Sequence, residues 1–201
     1  MKVLVATPAG WWGFSHQYPL AMLKLADELR ARGHRPTIYH YVAHYPIHVA
    51  RESIAYKAVA EGYDYVVWLD SDVAPERPEL LAEAVDLLLP IAVGVYVERS
   101  GEATDLAVER GGRLVALRPE DLPPNAMVRV DAAGMGCAVT AREVFERLER
   151  PWFDWTFDPT TGEGYGEDRY FFLKAKRHGI PTVALTRLRC IHSVVRDLSL
   201  G

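Results

Sequence analysis

Runs of apolar residues alternate with amphipathic stretches through the first half of this chain. Four runs rich in Val, Leu, Ile and aromatic residues predict buried strands, because they show little polar alternation. They span residues 2–9, 36–42, 65–69 and 90–97. Three stretches with apolar residues at helical spacing lie between them, at residues 18–32, 47–61 and 78–88. This β-α-β-α-β-α-β order predicts an α/β fold with a mostly parallel central sheet flanked by helices.

The second half of the chain has a different pattern. Two short segments, 106–110 and 113–117, flank Gly111 and Gly112, and a two-residue glycine turn of this kind is typical of a β-hairpin. Further short strands are predicted at residues 128–131, 136–139 and 181–185. We therefore expect a small antiparallel hairpin region beside the parallel sheet.

The composition is that of one globular domain. With 201 residues, of which 49% are hydrophobic, the chain can form a single core, and no linker-like segment divides it. A net charge of −4 does not favour nucleic acid as a partner. The two cysteines, Cys137 and Cys190, lack CxxC spacing, which argues against a disulfide framework or a cysteine-type zinc site.

Neither a signal peptide nor a transmembrane segment is predicted. The chain runs from Met1 directly into an apparent strand, and no later apolar run approaches the length of a membrane span. We expect a cytoplasmic protein, and peripheral association with the inner face of a membrane stays open. The oligomeric state is not indicated by the sequence.

Two carboxylates, Asp70 and Asp72, follow the apolar run at residues 65–69. In open α/β sheets, ligands bind at the edge where the carboxyl ends of the strands meet. Two carboxylates so close together repel each other unless a cation lies between them, and Mg²⁺ and Mn²⁺ prefer oxygen ligands. A strand-end turn in which one aspartate caps the next helix is the alternative for this stretch.

Three other segments carry candidate site residues. The pair Glu167 and Asp168 follows the glycine-rich residues 162–166 at a predicted helix start, where a carboxylate could act as a general base or simply cap the helix. His192 lies beyond the last predicted strand and could supply an imidazole ligand, although a solitary histidine is usually structural. Arg51 borders the apolar face of the second helix, so it could bind phosphate or be solvated.

Two glycine-containing loops are further candidates. In GWWGFSH, Trp11 and Trp12 could stack on a base or a sugar, or they could cover the core. In AAGMG, Gly134 and Gly136 allow a ligand to approach the backbone closely, although a β-bulge would use glycines equally well. The sequence leaves both alternatives open.

Four motifs occur in an order that resembles a known family. They are LDSD at the end of a strand, AGMGCAV, GYGEDRYFF opening a helix, and a C-terminal IH. Together they resemble the nucleotide-sugar glycosyltransferases of GT-A fold, most closely glycosyltransferase family 2. The resemblance covers nearly the whole chain. It implies a single-domain, Rossmann-like GT-A fold with a nucleotide-binding half, residues 1–97, and an acceptor-binding half, residues 98–201.

The resemblance also implies roles for individual residues. Asp72 and His192 would hold a Mn²⁺ or Mg²⁺ ion on the diphosphate of a UDP- or GDP-sugar, and Asp70 would contact this ion or the ribose. Asp168, with Glu167 beside it, would deprotonate an acceptor hydroxyl in an inverting transfer. The nucleotide would contact Thr7, Pro8, Ala9, Arg51, Asp70, Ser71 and Asp72. The acceptor would contact Gly134, Met135, Gly136, Trp152 and Phe153.

The chain departs from that family in two respects, and other functions compete with transfer. It is short and has no QxxRW segment, so a processive polysaccharide synthase is not expected. A nucleotidyltransferase that makes nucleotide-sugars needs a glycine-rich basic phosphate loop near the first strand, which GWWGFSH does not resemble. A carbohydrate- or nucleotide-binding module without activity, and an inactive relative, are the remaining alternatives. The sequence identifies neither the sugar nor the acceptor.

Overall fold

The structure is a computed structural model that describes residues 1–9, 14–42, 46–98, 101–157, 162 and 164–193. The helices are α1 (Tyr18–Ala31), α2 (Ile47–Ala60), α3 (Pro78–Asp86), α4 (Arg142–Arg147) and α5 (Glu167–Arg177). The first six strands are β1 (Lys2–Ala9), β2 (Arg35–Val42), β3 (Tyr65–Leu69), β4 (Val73–Pro75), β5 (Ile91–Val95) and β6 (Ala107–Arg110). The others are β7 (Arg113–Ala116), β8 (Met127–Val130), β9 (Cys137–Ala141), β10 (Thr156–Phe157), β11 (Gly164–Tyr165) and β12 (Thr182–His192). Among these helices, none is both long and apolar enough to cross a membrane.

Eight of the described strands form one mixed sheet. Its order is β2-β1-β3-β9-β5-β12-β4, with β8 also paired to β12. Strands β2, β1, β3, β5 and β12 run in one direction, while β9 is antiparallel between β3 and β5. The prediction of a largely parallel central sheet flanked by helices is confirmed, and so is the hairpin formed by β6 and β7.

The helices start and stop where the sequence pattern indicates. Pro19 lies in the first turn of α1, where its fixed φ suits a helix and its missing N–H is not needed. After α1, Gly33 adopts a φ of 77°, a left-handed conformation that ends helices. Helix α1 packs beside α3 and α2 packs beside α4, so both pairs cover the sheet.

Strand β12 is longer than the sequence predicts. The predicted strand ended at residue 185, but β12 continues to His192 after a shift in register between Ala184 and Arg189. Its last three residues pair with β4, and His192 lies opposite Val73. The partner segment is more than a hundred residues away in the chain, so the local pattern could not show this pairing. The extension carries His192 to the chain that follows β3.

An aromatic cluster fills the core beneath β3 and α5. The rings of Trp68 and Phe153 meet edge-on with centroids 5.6 Å apart, and Phe153 stacks on Phe171 at 4.9 Å. The indole N–H of Trp152 donates to the carbonyl oxygen of Phe145 at 3.0 Å. Both Trp152 and Phe153 are buried in this cluster, and their expected contact with the acceptor stays a prediction.

Candidate functional site

The site lies where β3 leaves the core. All five residues of β3 are buried, and Asp70 follows directly. The backbone N–H of Asp70 donates to the carbonyl oxygen of Gly136 at 2.9 Å, which continues the pairing of β3 with β9 to the end of the strand. Beyond Asp70, the carbonyl oxygen of Ser71 accepts the N–H of Ser15 at 2.8 Å. Asp70, Ser71 and Asp72 therefore occupy the carboxyl edge of the parallel strands.

A buried arginine joins the two acidic segments. Arg51, only 2% exposed, donates from Nη2 to Asp70 Oδ2 at 2.9 Å and from Nε to Glu167 Oε1 at 3.1 Å. Burial alone would lower the pKa of Arg51, but Asp70 and Glu167 raise it, so the guanidinium is a permanent cation. The sequence places Arg51 beside the apolar face of α2; the structure places it inside the protein, where it connects residues 19 and 116 positions away.

Two atoms of this arrangement are unpaired. Asp70 Oδ1 and Arg51 Nη1 are buried and have no hydrogen-bond partner among the described residues. Burial raises the pKa of Asp70, and the ion pair with Arg51 opposes that rise. Because buried polar atoms in proteins are nearly always hydrogen-bonded, two such atoms at a sheet edge are what a binding site without its ligand would contain.

Asp168 lies at the start of α5, beside the bridge that Arg51 forms between Asp70 and Glu167. Its Oδ1 accepts the backbone N–H of Arg169 at 2.7 Å. Burial and the neighbouring charge of Glu167 raise the pKa of Asp168 to about 6, although Arg51 acts in the opposite direction. Glu167 is fixed by its ion pair with Arg51, so the two adjacent carboxylates have different environments. A carboxylate with a pKa close to neutral is suited to accept a proton from a hydroxyl group.

His192 is the last of the predicted site residues, and it lies next to Asp72. Its Nδ1 donates to the carbonyl oxygen of Val97 at 2.9 Å, and its Nε2 lies 3.6 Å from Asp72 Oδ2. The ring of Tyr96 meets the imidazole edge-on, with centroids 5.4 Å apart. The nearby carboxylate of Asp72 raises the pKa of His192. The hydrogen bond from Nδ1 orients the imidazole, and histidines that bind metals are commonly oriented in this way.

The segment at Gly134 to Gly136 approaches the site with its backbone. The hydroxyl of Tyr96 accepts the N–H of Gly136 at 3.0 Å. A Cβ atom at Gly136 would lie 3.2 Å from Asp70 Oδ2, and one at Gly134 would collide with the Tyr96 hydroxyl. The glycines therefore permit close packing against protein groups. The side chain of Met135 is completely buried in the core. The expected contact of this backbone segment with an acceptor stays a prediction.

The first strand contributes a polar cluster at the same edge. Thr7 and Pro8, which the sequence places near the nucleobase, are buried. The Thr7 hydroxyl hydrogen-bonds to that of Tyr18, which in turn contacts His40 Nε2 at 3.1 Å. Ala9 is the last residue of β1, and Trp11 and Trp12 lie outside the described residues. The proposed nucleotide contacts of Thr7, Pro8 and Ala9 stay predictions.

Several residues near the site escaped the sequence analysis. Tyr96 orients Gly136 and His192, and Tyr18 and His40 support Thr7. The ring of Phe14 stacks on Tyr18 with centroids 4.9 Å apart. None of these residues belongs to the four motifs. Phe14 lies in the GWWGFSH loop, whereas Tyr18, His40 and Tyr96 lie within predicted helices or strands, where the sequence pattern gives no sign of a role at the site.

The described residues do not form a complete metal cage. No three histidine, cysteine, aspartate or glutamate side chains within them converge closely enough to hold an ion. Asp72 and His192 do converge, and Asp70 offers Oδ1 while its Oδ2 pairs with Arg51. Oxygen and imidazole donors suit Mn²⁺, which often takes part of its coordination from phosphate and water. The residues thus fit an ion that a phosphate ligand helps to hold.

Replacing Arg51 tests the bridge. We expect Arg51→Met to lower the free energy of unfolding by about 3–5 kcal/mol, because Asp70 and Glu167 would remain buried without their counterion. Adding Asp70→Asn and Glu167→Gln should restore most of that loss, since the neutral groups need no counterion. Urea denaturation measures both effects.

The control for this experiment is Arg30→Met. Arg30 pairs with Asp27 in an exposed ion pair, so the expected loss is below about 1 kcal/mol. An Arg51→Met variant as stable as Arg30→Met would show that the buried bridge is not needed for folding.

The raised pKa of Asp168 predicts a pH-dependent effect on stability. The folded protein binds this proton more tightly than the unfolded chain, so ionisation of Asp168 opposes folding as the pH rises from about 4 through about 6. We expect Asp168→Asn to melt at a higher temperature than the parent at about pH 8, and the difference to shrink at about pH 4. Thermal unfolding in EDTA measures this. A variant that melts lower than the parent at about pH 8 contradicts the assignment.

Comparisons with known proteins identify a fold. No protein-family model matches the sequence, and no curated protein matches it. The structure is similar to A197 from STIV, with a TM-score of 0.63 and 21% identity over 97% of this chain and 87% of that one. HddC from Yersinia pseudotuberculosis gives a TM-score of 0.46 at 11% identity, covering 96% and 93%.

A third solved structure is a putative glucose-1-phosphate thymidylyltransferase from Bacillus anthracis in complex with a sucrose. It gives a TM-score of 0.32 at 12% identity, covering 98% of this chain and 77% of that one. The last two TM-scores are too low to add to the comparison. The likeness to A197 is one of fold: both chains share a mixed α/β architecture over nearly their whole lengths.

Proposed function

We propose that this protein is a metal-dependent glycosyltransferase that moves a sugar from a UDP- or GDP-sugar to an acceptor hydroxyl with inversion. One observation supports this most strongly. Three segments far apart in the chain, at Asp70 to Asp72, Glu167 to Asp168 and His192, meet at one edge of the sheet. Their donors are those that a nucleotide diphosphate with a divalent cation, and a proton acceptor for a hydroxyl group, would require.

The donor half of the reaction is assigned to Asp70, Asp72 and His192. In this proposal Asp72 and His192 hold Mn²⁺ or Mg²⁺, and Oδ1 of Asp70 contacts the ion or the ribose. When bound, the cation offsets negative charge on the diphosphate leaving group. The buried Arg51 keeps Asp70 in place through the 2.9 Å ion pair. In this proposal Arg51 acts on the nucleotide indirectly, by holding Asp70 in place. Its Nη1, which has no hydrogen-bond partner among the described residues, also contacts the nucleotide directly.

The acceptor half is assigned to Asp168. Its pKa of about 6 leaves it ionised at neutral pH and still basic enough to accept a proton from an attacking hydroxyl. Glu167 supports the base rather than acting as one, because its carboxylate is paired with Arg51. The hydrogen bond from the Arg169 N–H to Oδ1 holds the Asp168 carboxylate at the start of α5. Transfer is inverting in this scheme, since a single base acts opposite the leaving group.

The direct experiment is an assay of nucleotide diphosphate release from UDP- and GDP-sugars with Mn²⁺ or Mg²⁺. Metal-dependent release, with or without an added acceptor, supports the proposal. Pyrophosphate release from a nucleoside triphosphate and a sugar 1-phosphate would instead identify a nucleotidyltransferase. Binding of sugar nucleotides without turnover would identify a binding module.

Asp168→Asn should separate binding from catalysis. We expect it to leave the affinity for the donor nearly unchanged and to lower turnover about 10²–10⁴-fold, the usual contribution of a general base. In the parent, kcat/KM should fall below pH 6, as Asp168 becomes protonated. The exposed Asp27→Asn is the control for a lost charge. Equal turnover in Asp168→Asn and Asp27→Asn would remove Asp168 from the mechanism.

Changes on the donor side should act on metal-dependent binding. Asp72→Ala should abolish the Mn²⁺-dependent affinity for UDP or GDP, and His192→Ala should weaken Mn²⁺ binding about 10–100-fold. Calorimetry with Mn²⁺ and each nucleotide diphosphate measures both. His178→Ala, at the far end of α5, is the matched control. Unchanged Mn²⁺ affinity in both site variants would refute the assignment of the metal ligands.

A further inference from the structure

Two large aromatic side chains, Trp155 and Phe157, are exposed on the small hairpin that precedes α5. Trp155 is 57% exposed and Phe157 is 70% exposed. Phe157 ends β10, which pairs antiparallel with β11, and Trp155 comes directly before β10. Side chains two residues apart in an extended segment point to the same face. An exposed aromatic surface of this kind often marks a binding site.

Each of the two aromatic residues has a glycine opposite it in the hairpin. Phe157 pairs with Gly164, and a Cβ atom at Gly164 would lie 3.2 Å from Cε1 of the Phe157 ring. The same register, continued by one pair, places Trp155 beside Gly166. A Cβ atom at Gly166 would lie 3.5 Å from Asp168 Oδ1. The surface formed by Trp155 and Phe157, called the aromatic platform below, therefore begins beside Asp168.

Trp155 is held in place by a hydrogen bond to α2. Its indole N–H donates to Nδ1 of His48 at 3.1 Å. His48 lies one turn before Arg51 in α2, and Arg51 pairs with Glu167. The exposed indole is thus fixed next to the candidate site. A fixed aromatic ring offers a large contact area to a ligand at a low cost in conformational entropy.

The aromatic platform borders a cavity of about 370 Å³. Phe157 lines this cavity together with Glu109 of β6 and with Leu173, Lys176 and Arg177 of α5. Lys176 Nζ binds Glu109 Oε2 at 2.6 Å, whereas the Arg177 guanidinium makes no ion pair with any carboxylate among the described residues. The cavity therefore combines an apolar ring with hydrogen-bond donors and an acceptor.

The distance along α5 indicates an elongated ligand. Leu173 lies five residues after Asp168, and a helix rises 1.5 Å per residue, so the cavity begins about 8 Å along the helix from Asp168. A ligand that reaches from Asp168 into the cavity is longer than a single pyranose ring. The aromatic platform lies along this path.

The chemistry of this surface matches a saccharide. The C–H groups on the face of a pyranose pack against aromatic rings, and its hydroxyl groups both donate to carboxylates and accept from cationic groups. A strongly anionic chain fits less well, because Lys176 is already paired with both Glu109 and Asp131. The net charge of −4 also disfavours a polyanion.

We infer that the aromatic platform and the adjoining cavity bind an oligosaccharide, and that this oligosaccharide is the acceptor in the transfer reaction. The second part rests on the proposed function. The reacting end of the oligosaccharide lies beside Gly166 and Asp168, Trp155 and Phe157 pack against its rings, and its other end enters the cavity. Trp155 and Phe157 are thus binding residues that select a chain of sugars over a single sugar.

The test measures oligosaccharide binding by calorimetry. The parent, Trp155→Ala, Phe157→Ala and Tyr56→Ala would each be titrated with cellohexaose, maltohexaose, chitohexaose and mannohexaose. We expect at least one of these to bind the parent with a Kd below about 1 mM, and both platform variants to lose about tenfold in affinity for it. Tyr56 is 56% exposed on α2, so Tyr56→Ala controls for the loss of an exposed ring.

Trp155→Phe separates stacking from a structural role. It keeps an aromatic ring on the hairpin but removes the indole N–H that binds His48. We expect it to bind the oligosaccharide within about threefold of the parent. Unchanged affinity in both alanine variants of the platform, an equal loss in Tyr56→Ala, or a loss in Trp155→Phe as large as in Trp155→Ala would each overturn the inference. So would a parent that binds none of the four hexasaccharides.

The failure of the proposed function has a different signature. If a hexasaccharide binds at the aromatic platform but the parent releases no UDP or GDP from sugar nucleotides, transfer is refuted and the saccharide site stands. If the parent releases nucleotide diphosphate and no hexasaccharide accelerates that release, the acceptor assignment is refuted and the proposed function stands.

Discussion

The buried guanidinium of Arg51 is the interaction on which the site depends. Asp70 ends a core strand and Glu167 begins a helix, and without a cation between them these carboxylates would repel each other at the edge of the core. Removing charges from water is costly, and a buried ion pair offsets that cost only with good geometry and further hydrogen bonds. Two short contacts from a single guanidinium supply that geometry. The same contacts fix the distance between the two acidic segments.

The bridge also divides the acidic residues by function. Asp70 and Glu167 are both paired with Arg51, whereas burial and the charge of the neighbouring Glu167 raise the pKa of Asp168. The site therefore combines carboxylates that are held in ion pairs with one carboxylate, that of Asp168, that could accept a proton. Such unequal environments for chemically identical groups are typical of catalytic sites.

The sequence predicted the first half of the fold, residues 1–97, well, because strands and helices there have distinct hydrophobic periods. It could not predict that β9 would insert antiparallel between β3 and β5, since that pairing joins distant segments without a local signal. The extension of β12 to His192 depended on the same kind of distant partner. The local sequence pattern therefore predicted where the strands and helices lie in the chain. The order in which some strands pair depends on contacts between distant segments, which the pattern does not show.

The site was predictable to the extent that its residues belonged to motifs. The acidic pairs and His192 do converge, as their motifs led us to expect. The aromatic residues were harder to interpret from the sequence. Trp152 and Phe153 follow a helix and were predicted to contact an acceptor, and the structure places both side chains in the core. The role of Arg51 as a bridge depends on three-dimensional neighbours that no spacing rule identifies.

The central claim is that Asp70 to Asp72 and His192 share one cation-dependent nucleotide site. Paramagnetic broadening of backbone amide resonances by Mn²⁺, in the presence of UDP or GDP, tests it most directly. The account predicts that signals from Asp70 to Val73, Gly136 and His192 to Ser193 broaden first, and that they recover when EDTA is added. Broadening centred on another part of the sheet, or none when the nucleotide is present, would contradict it.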